Sequence, residues 1–74
     1  MEDVVRQILS RRTPDGYYVI PLLDTPEARR LIEHVKEEGI EVEEAGDILY
    51  VKVKPRSVAA RIARLAARKH LLAV

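Results

Sequence analysis

Apolar and polar positions repeat along this chain with two periods, and the switches between them mark its elements. In EDVVRQILSRR, Val4, Val5, Ile8 and Leu9 fall on one side of a 3.6-residue repeat, which predicts a short N-terminal helix with one apolar stripe. Glu2 and Asp3 suit the positive end of its dipole, and Arg11 and Arg12 the negative end. TPDG then places Pro14 and Gly16 in turn positions. YYVIPLL is rich in β-branched and aromatic residues and predicts a first strand. Pro21 inside it cannot donate a ladder hydrogen bond, which favours an edge strand or a bulge.

DTPEARRLIEHVKEEG returns to the helical period. Thr25 or Asp24 can cap it, Pro26 fits its first position, and Ala28, Leu31, Ile32 and Val35 form the stripe to be buried. Arg29 and Glu33 are spaced to pair, and Gly39 supplies a stop. IEVEEAGDILYVKVK predicts a β-hairpin with residues 44–47 as its loop. That register sets Val42 opposite Leu49 and Ile40 opposite Val51, with Val53 continuing the apolar face. A slipped register would set Glu44 against Leu49 and is rejected for that reason.

PRSVAARIARLAARKH predicts a last helix, capped by Ser57 or opened by Pro55. Val58, Ile62 and Leu65 form its stripe, and Ala59 and Ala66 flank it, small enough for a close approach to a sheet. LLAV ends the chain either as a fraying helix or as a short strand. The expected fold is one small α+β domain over residues 1–74. It consists of an N-terminal helix followed by a ferredoxin-like split βαββα(β), an antiparallel sheet with its helices on one face. Pro21 argues that any fourth strand is short, or is supplied by another subunit. The N-terminal helix must also bury its stripe, on the open sheet face or against a second copy.

Charge changes the picture most. The formal net charge is only +1, yet residues 1–47 carry twelve acids and six bases, and residues 48–74 carry seven bases and no acid. Such asymmetry points to an anionic partner or to self-complementary surfaces. At 74 residues the chain hides only ~60–65% of its unfolded surface. It has no cysteine, so packing or an oligomer interface must hold it. Met1 reads as a native start. No run approaches ~20 apolar residues and no leader is visible, so the expected location is the cytoplasm. Asparagine is absent and glutamine occurs once, a pattern shared with thermophile proteins.

In the last helix Arg61, Arg64 and Arg68 are spaced three and four apart and project from one face, with Lys69 at its border and Arg56 near its start. A helix held by its apolar side and showing only cations on the other fits a polyanion, as nucleic-acid footprints do. A solvated face paired to Glu37 and Glu38 is the competing account. Tyr50, Lys52 and Lys54 alternate onto the sheet face away from the helices. There a tyrosine flanked by lysines can stack a base while the lysines hold phosphate. In element order, and in carrying aromatics on its strands, the chain loosely resembles the RNA-recognition-motif family. DILYVKVK lacks that family's Gly-aromatic-Gly-aromatic core, so only Tyr50 carries over. No GXXG loop is present, and KH domains gain no support.

Other chemistry is thin. His34 and Glu38 could give two metal ligands, which do not make a site. The serines sit at helix ends, and the three glycines are isolated, so no phosphate-cradling loop exists. No enzyme, cofactor, metal or small-molecule substrate is expected. The leading expectation is a nucleic-acid-binding module, for RNA or DNA, using Tyr50, Lys52, Lys54, Arg56, Arg61, Arg64, Arg68 and Lys69. The alternative is a protein-interaction or assembly module, a homo-oligomer or an antitoxin-like small subunit, joined through complementary charge and an open sheet edge.

Overall fold

A computed structural model describes residues 2–36 and 40–73. It is an α+β fold of three helices and one antiparallel sheet. The elements run α1 (Glu2–Leu9), β1 (Tyr18–Leu23), α2 (Pro26–Val35), β2 (Ile40–Ala45), β3 (Ile48–Val53) and α3 (Arg56–Arg68). The strand order is β1-β3-β2. Gly39 as a helix stop, and Glu37 and Glu38 as partners or ligands, lie outside the described residues.

The alternation of β3 decides where the core sits. Leu49, Val51 and Val53 face the helices and are buried, as are Tyr18, Ile20 and Leu22 of β1. Onto this surface α3 lays a row of small residues, with Ala59, Ala60, Ile62, Ala63, Ala66 and Ala67 all buried. That wide buried arc exists because α3 has neighbours on both flanks as well as the sheet beneath it, packing against α1, α2, β1 and β3. The N-terminal helix therefore buries Val5 and Leu9 within its own chain, against α3 and β1, rather than against a second copy.

Local chemistry fixes the ends of the elements. Thr25 caps α2, its hydroxyl oxygen accepting from the Ala28 N–H at 3.0 Å. The α1 helix stops at Leu9, two residues short of the arginines expected at its end. Ser10 closes it by donating from Oγ to the Gln7 carbonyl at 2.8 Å. Arg12 instead donates from Nε to the Tyr18 hydroxyl at 2.9 Å. The turn after it follows TPDG, with the Gly16 N–H on the Thr13 carbonyl at 2.9 Å and Gly16 at φ +88°. Helix α3 ends in a Schellman arrangement. Leu71 N–H reaches the Ala66 carbonyl (2.8 Å), His70 N–H reaches Ala67 (3.1 Å), and His70 itself takes φ +58°.

That left-handed turn aims residues 71–73 at the outer edge of β1. There Leu72 makes one antiparallel bridge to Leu22, flanked by Leu23 N–H to the Leu71 carbonyl and Ala73 N–H to the Pro21 carbonyl. In an antiparallel pair the N–H and C=O of one residue point the same way. The missing N–H of Pro21 is therefore on this side, and the reciprocal bond to Ala73 cannot form. Toward β3, β1 pairs without a bulge through Pro21. One proline thus accounts for both the intact β1–β3 ladder and the brevity of the C-terminal pairing.

The hairpin register differs from the expected one. Val42 lies opposite Val51, Ile40 opposite Val53, and Glu44 opposite Leu49, the arrangement the sequence pattern argued against. Two facts make it stable. The loop shrinks to Gly46 and Asp47, with Gly46 at φ +62°, the position where a tight hairpin turn calls for glycine. The side of β2 that faces the helix layer is also not sealed. Val42 is 39% exposed and Glu44 is exposed, so the carboxylate stays in water. There it meets Arg29 of α2 at 3.1 Å. Arg29 takes Asp24 and Glu44 rather than the expected Glu33.

Candidate nucleic-acid interface

The eight residues singled out in the sequence do not form one surface. Tyr50, Lys52 and Lys54 point away from the helices, onto the open face of the sheet. Arg61, Arg64 and Arg68 sit on α3 and Lys69 caps its end, across the sheet from them. Arg56 stands at the start of α3, between the two groups.

The open face is electrostatically mixed. Lys52 meets Glu43 at 2.7 Å, and that hydrogen bond raises the lysine pKa above its ordinary value. Glu41 lies opposite Lys52 in the ladder and accepts from the Tyr17 hydroxyl at 3.1 Å. Partial burial, followed by this contact, raises the Tyr17 pKa. The Lys54 ammonium lies 5.1 Å from the Tyr17 ring centroid. Tyr50 is half-buried and faces Glu43 on one side and Pro21 on the other. A phosphate approaching Tyr50 would find two glutamates beside the one lysine.

Helix α3 offers the cleaner field. Its exposed arc carries Arg56, Arg61, Arg64, Arg68 and Lys69 together with Ser57, and no acid lies anywhere in residues 48–74. No side chain caps its N-terminus and its first turn has no acid, so the helix dipole adds to the positive potential there. Arg61 and Arg64 each have a partner within the chain. Among the described residues the ion pairs are Arg6–Asp3, Arg29–Asp24, Arg29–Glu44 and Lys52–Glu43. Of the hairpin carboxylates, Glu43 is taken up by β3 and Glu44 by α2, and Arg56, Arg68 and Lys69 enter none of these four pairs.

Sequence reasoning missed the contribution of α2. Arg30 and His34, spaced i,i+4, stand on the exposed side of that helix and, with Glu27, Leu31 and Lys69, line a cleft of about 260 Å³ between α2 and the end of α3. The i,i+4 spacing was visible in the sequence; that α2 and α3 lie side by side was not. Among the described residues no group of three His, Asp or Glu is placed to hold a metal ion. No helix among them is long and apolar enough to cross a membrane. No protein-family model, no curated protein and no solved structure matches the chain.

Proposed function

We propose that this is a small non-catalytic nucleic-acid-binding module of the cytoplasm that grips phosphate through the exposed face of α3. The observation that carries this is the all-cationic face of a helix whose opposite side is pinned in the core. Arg61 and Arg68 are about 10 Å apart along the helix axis. Over that axial distance one strand of a duplex presents about three phosphates. Arginine suits the task, since its planar fork holds a phosphate in two hydrogen bonds and can do so while sharing another partner. Contacts of this kind position a protein on nucleic acid without reading bases. The same reading takes the topology as ferredoxin-like. The β1-β3-β2 order and the Leu72 bridge on the outer side of β1 support it, as a rudimentary fourth strand beside the first.

The test is a map of backbone amide shifts on adding a short duplex at low salt. Shifts confined to α3 and its flanks support the reading. Shifts confined to Val19, Tyr50 and Lys52 would move the site to the open sheet face, and no shifts at all would remove it.

One observation favours assembly as a second reading. The outer edge of β2 has no strand beside it among the described residues, and Val42 and Leu23 are the large apolar side chains left most exposed, at 39% and 43%. An edge of this kind accepts another strand. Self-pairing through β2 would bring the Glu41, Glu43 and Glu44 of two copies onto adjacent strands, so the strand it accepts would have to be basic.

A further inference from the structure

We infer that the ligand of this surface is the phosphate backbone of a duplex, seated along the groove between α2 and α3, with Arg30, His34 and Lys69 as its second row of contacts. This rests on the helix-face reading above and goes beyond it in naming the far wall of the site and the form of nucleic acid.

Two observations carry the inference. The first is the cleft itself. Lys69, the residue that caps the end of α3, shares the cleft with Arg30 and His34, and Glu27 is the one carboxylate among the described residues that line it. The groove wall thus continues the positive surface of α3 around a concave corner, and a concave charged surface focuses its field on an anion. A phosphate in that corner can accept from Arg30 and Lys69 together, and from a ring N–H of His34 in either of its charge states. Both permanent cations are exposed and enter none of the four ion pairs found among the described residues.

The second observation concerns bases. The chain has three tyrosines and no other aromatic residue of the Phe, Trp or Tyr kind. Tyr18 is buried under the helices, and Tyr17 and Tyr50 are on the open side of the sheet. The helical layer therefore offers only the smaller imidazoles of His34 and, just past α3, His70, and no Phe, Trp or Tyr ring on which an unpaired base can stack. Proteins that hold single strands gain about 1–3 kcal/mol per stacked base from such rings. With only those imidazoles, attraction comes mainly from phosphate density, and a duplex carries twice the phosphates per unit length of a single strand, on a stiff frame.

The experiment measures binding of labelled duplex DNA, duplex RNA and an unstructured single strand to the full chain, with Arg30→Gln/Lys69→Gln and Glu27→Gln as variants. We expect both duplexes to bind more tightly than the single strand. The double variant should weaken duplex binding and make the plot of log affinity against log salt shallower by about two. Glu27→Gln should strengthen duplex binding severalfold, a change that misfolding cannot imitate. Preference for DNA over RNA duplex, or the reverse, would assign the groove geometry it fits. Duplex affinity unchanged in both variants overturns the inference, and so does a single strand bound as tightly as the duplex. If the Arg30 and Lys69 changes do nothing while replacing Arg61, Arg64 and Arg68 abolishes binding, the groove is wrong and the helix-face reading stands. If the unaltered chain binds none of the three, both fail.

Discussion

Ala63 is fully buried on the side of α3 that meets the core. Replacing it with leucine adds three carbons where there is no free volume, because α3 is hemmed in by α1, α2 and the sheet. Overpacking of this kind costs about 1–3 kcal/mol. A chain of 74 residues has about 4–11 kcal/mol of stability in total. A loss near ~2 kcal/mol would lower the melting temperature by about 8–16 °C for a domain of this size. The assay is urea unfolding followed by circular dichroism, comparing Ala63→Leu with Arg68→Leu on the exposed arc of the same helix. The surface change should stay within about 0.5 kcal/mol. Ala63→Leu at wild-type stability would show that α3 is not clamped on three sides. The description of its one exposed face as the functional face would then lose its basis.

Two further outcomes follow from particular residues. His70 takes φ +58° at the end of α3, where a side chain is strained and glycine is not. His70→Gly should therefore raise stability by about 0.5–1 kcal/mol in the same assay, net of the entropy glycine adds to the unfolded chain. Hydrogen bonds from Arg29 hold the Asp24 carboxyl below its ordinary value of 3.8. The folded value is thus the lower one. The contribution is complete above that ordinary, unfolded value and is lost as pH falls through the folded one, so stability should decline below about pH 4. Arg29→Gln should flatten that acid limb and return Asp24 to the ordinary carboxylate range in an NMR titration.

Most of the architecture was legible in the sequence because the local signals agreed with one another. Of the expected helical stripes, Val5, Leu9, Ala28, Leu31, Ile32, Val35 and Ile62 enter one core, while Val4, Ile8, Val58 and Leu65 are only partly buried against it and the alanines of α3 take the central place. The expected brevity of any fourth strand followed from a single missing N–H at Pro21. The hairpin register was misread because the pattern assumed that both strands have a sealed apolar face. In fact β2 lies beyond the helix layer, and solvent removes the penalty on Glu44. Only the fold could show that, since the width of the helical layer is not written in the period of a strand. The candidate residues were legible in part. Alternation placed Tyr50, Lys52 and Lys54 on one face, and helical spacing grouped the arginines, each correctly. That already set the sheet between the two groups; what nothing local told is that Arg30 and His34 would border Lys69.

The central claim is that the exposed face of α3 binds phosphate, and the salt dependence of duplex binding tests it most directly. With three to five contacts, log affinity against log salt should fall with a slope of about −3 to −4. Changing Arg61, Arg64 and Arg68 together to glutamine should remove nearly three units of that slope. A duplex bound just as tightly, with the same slope, by the triple variant would contradict the claim outright.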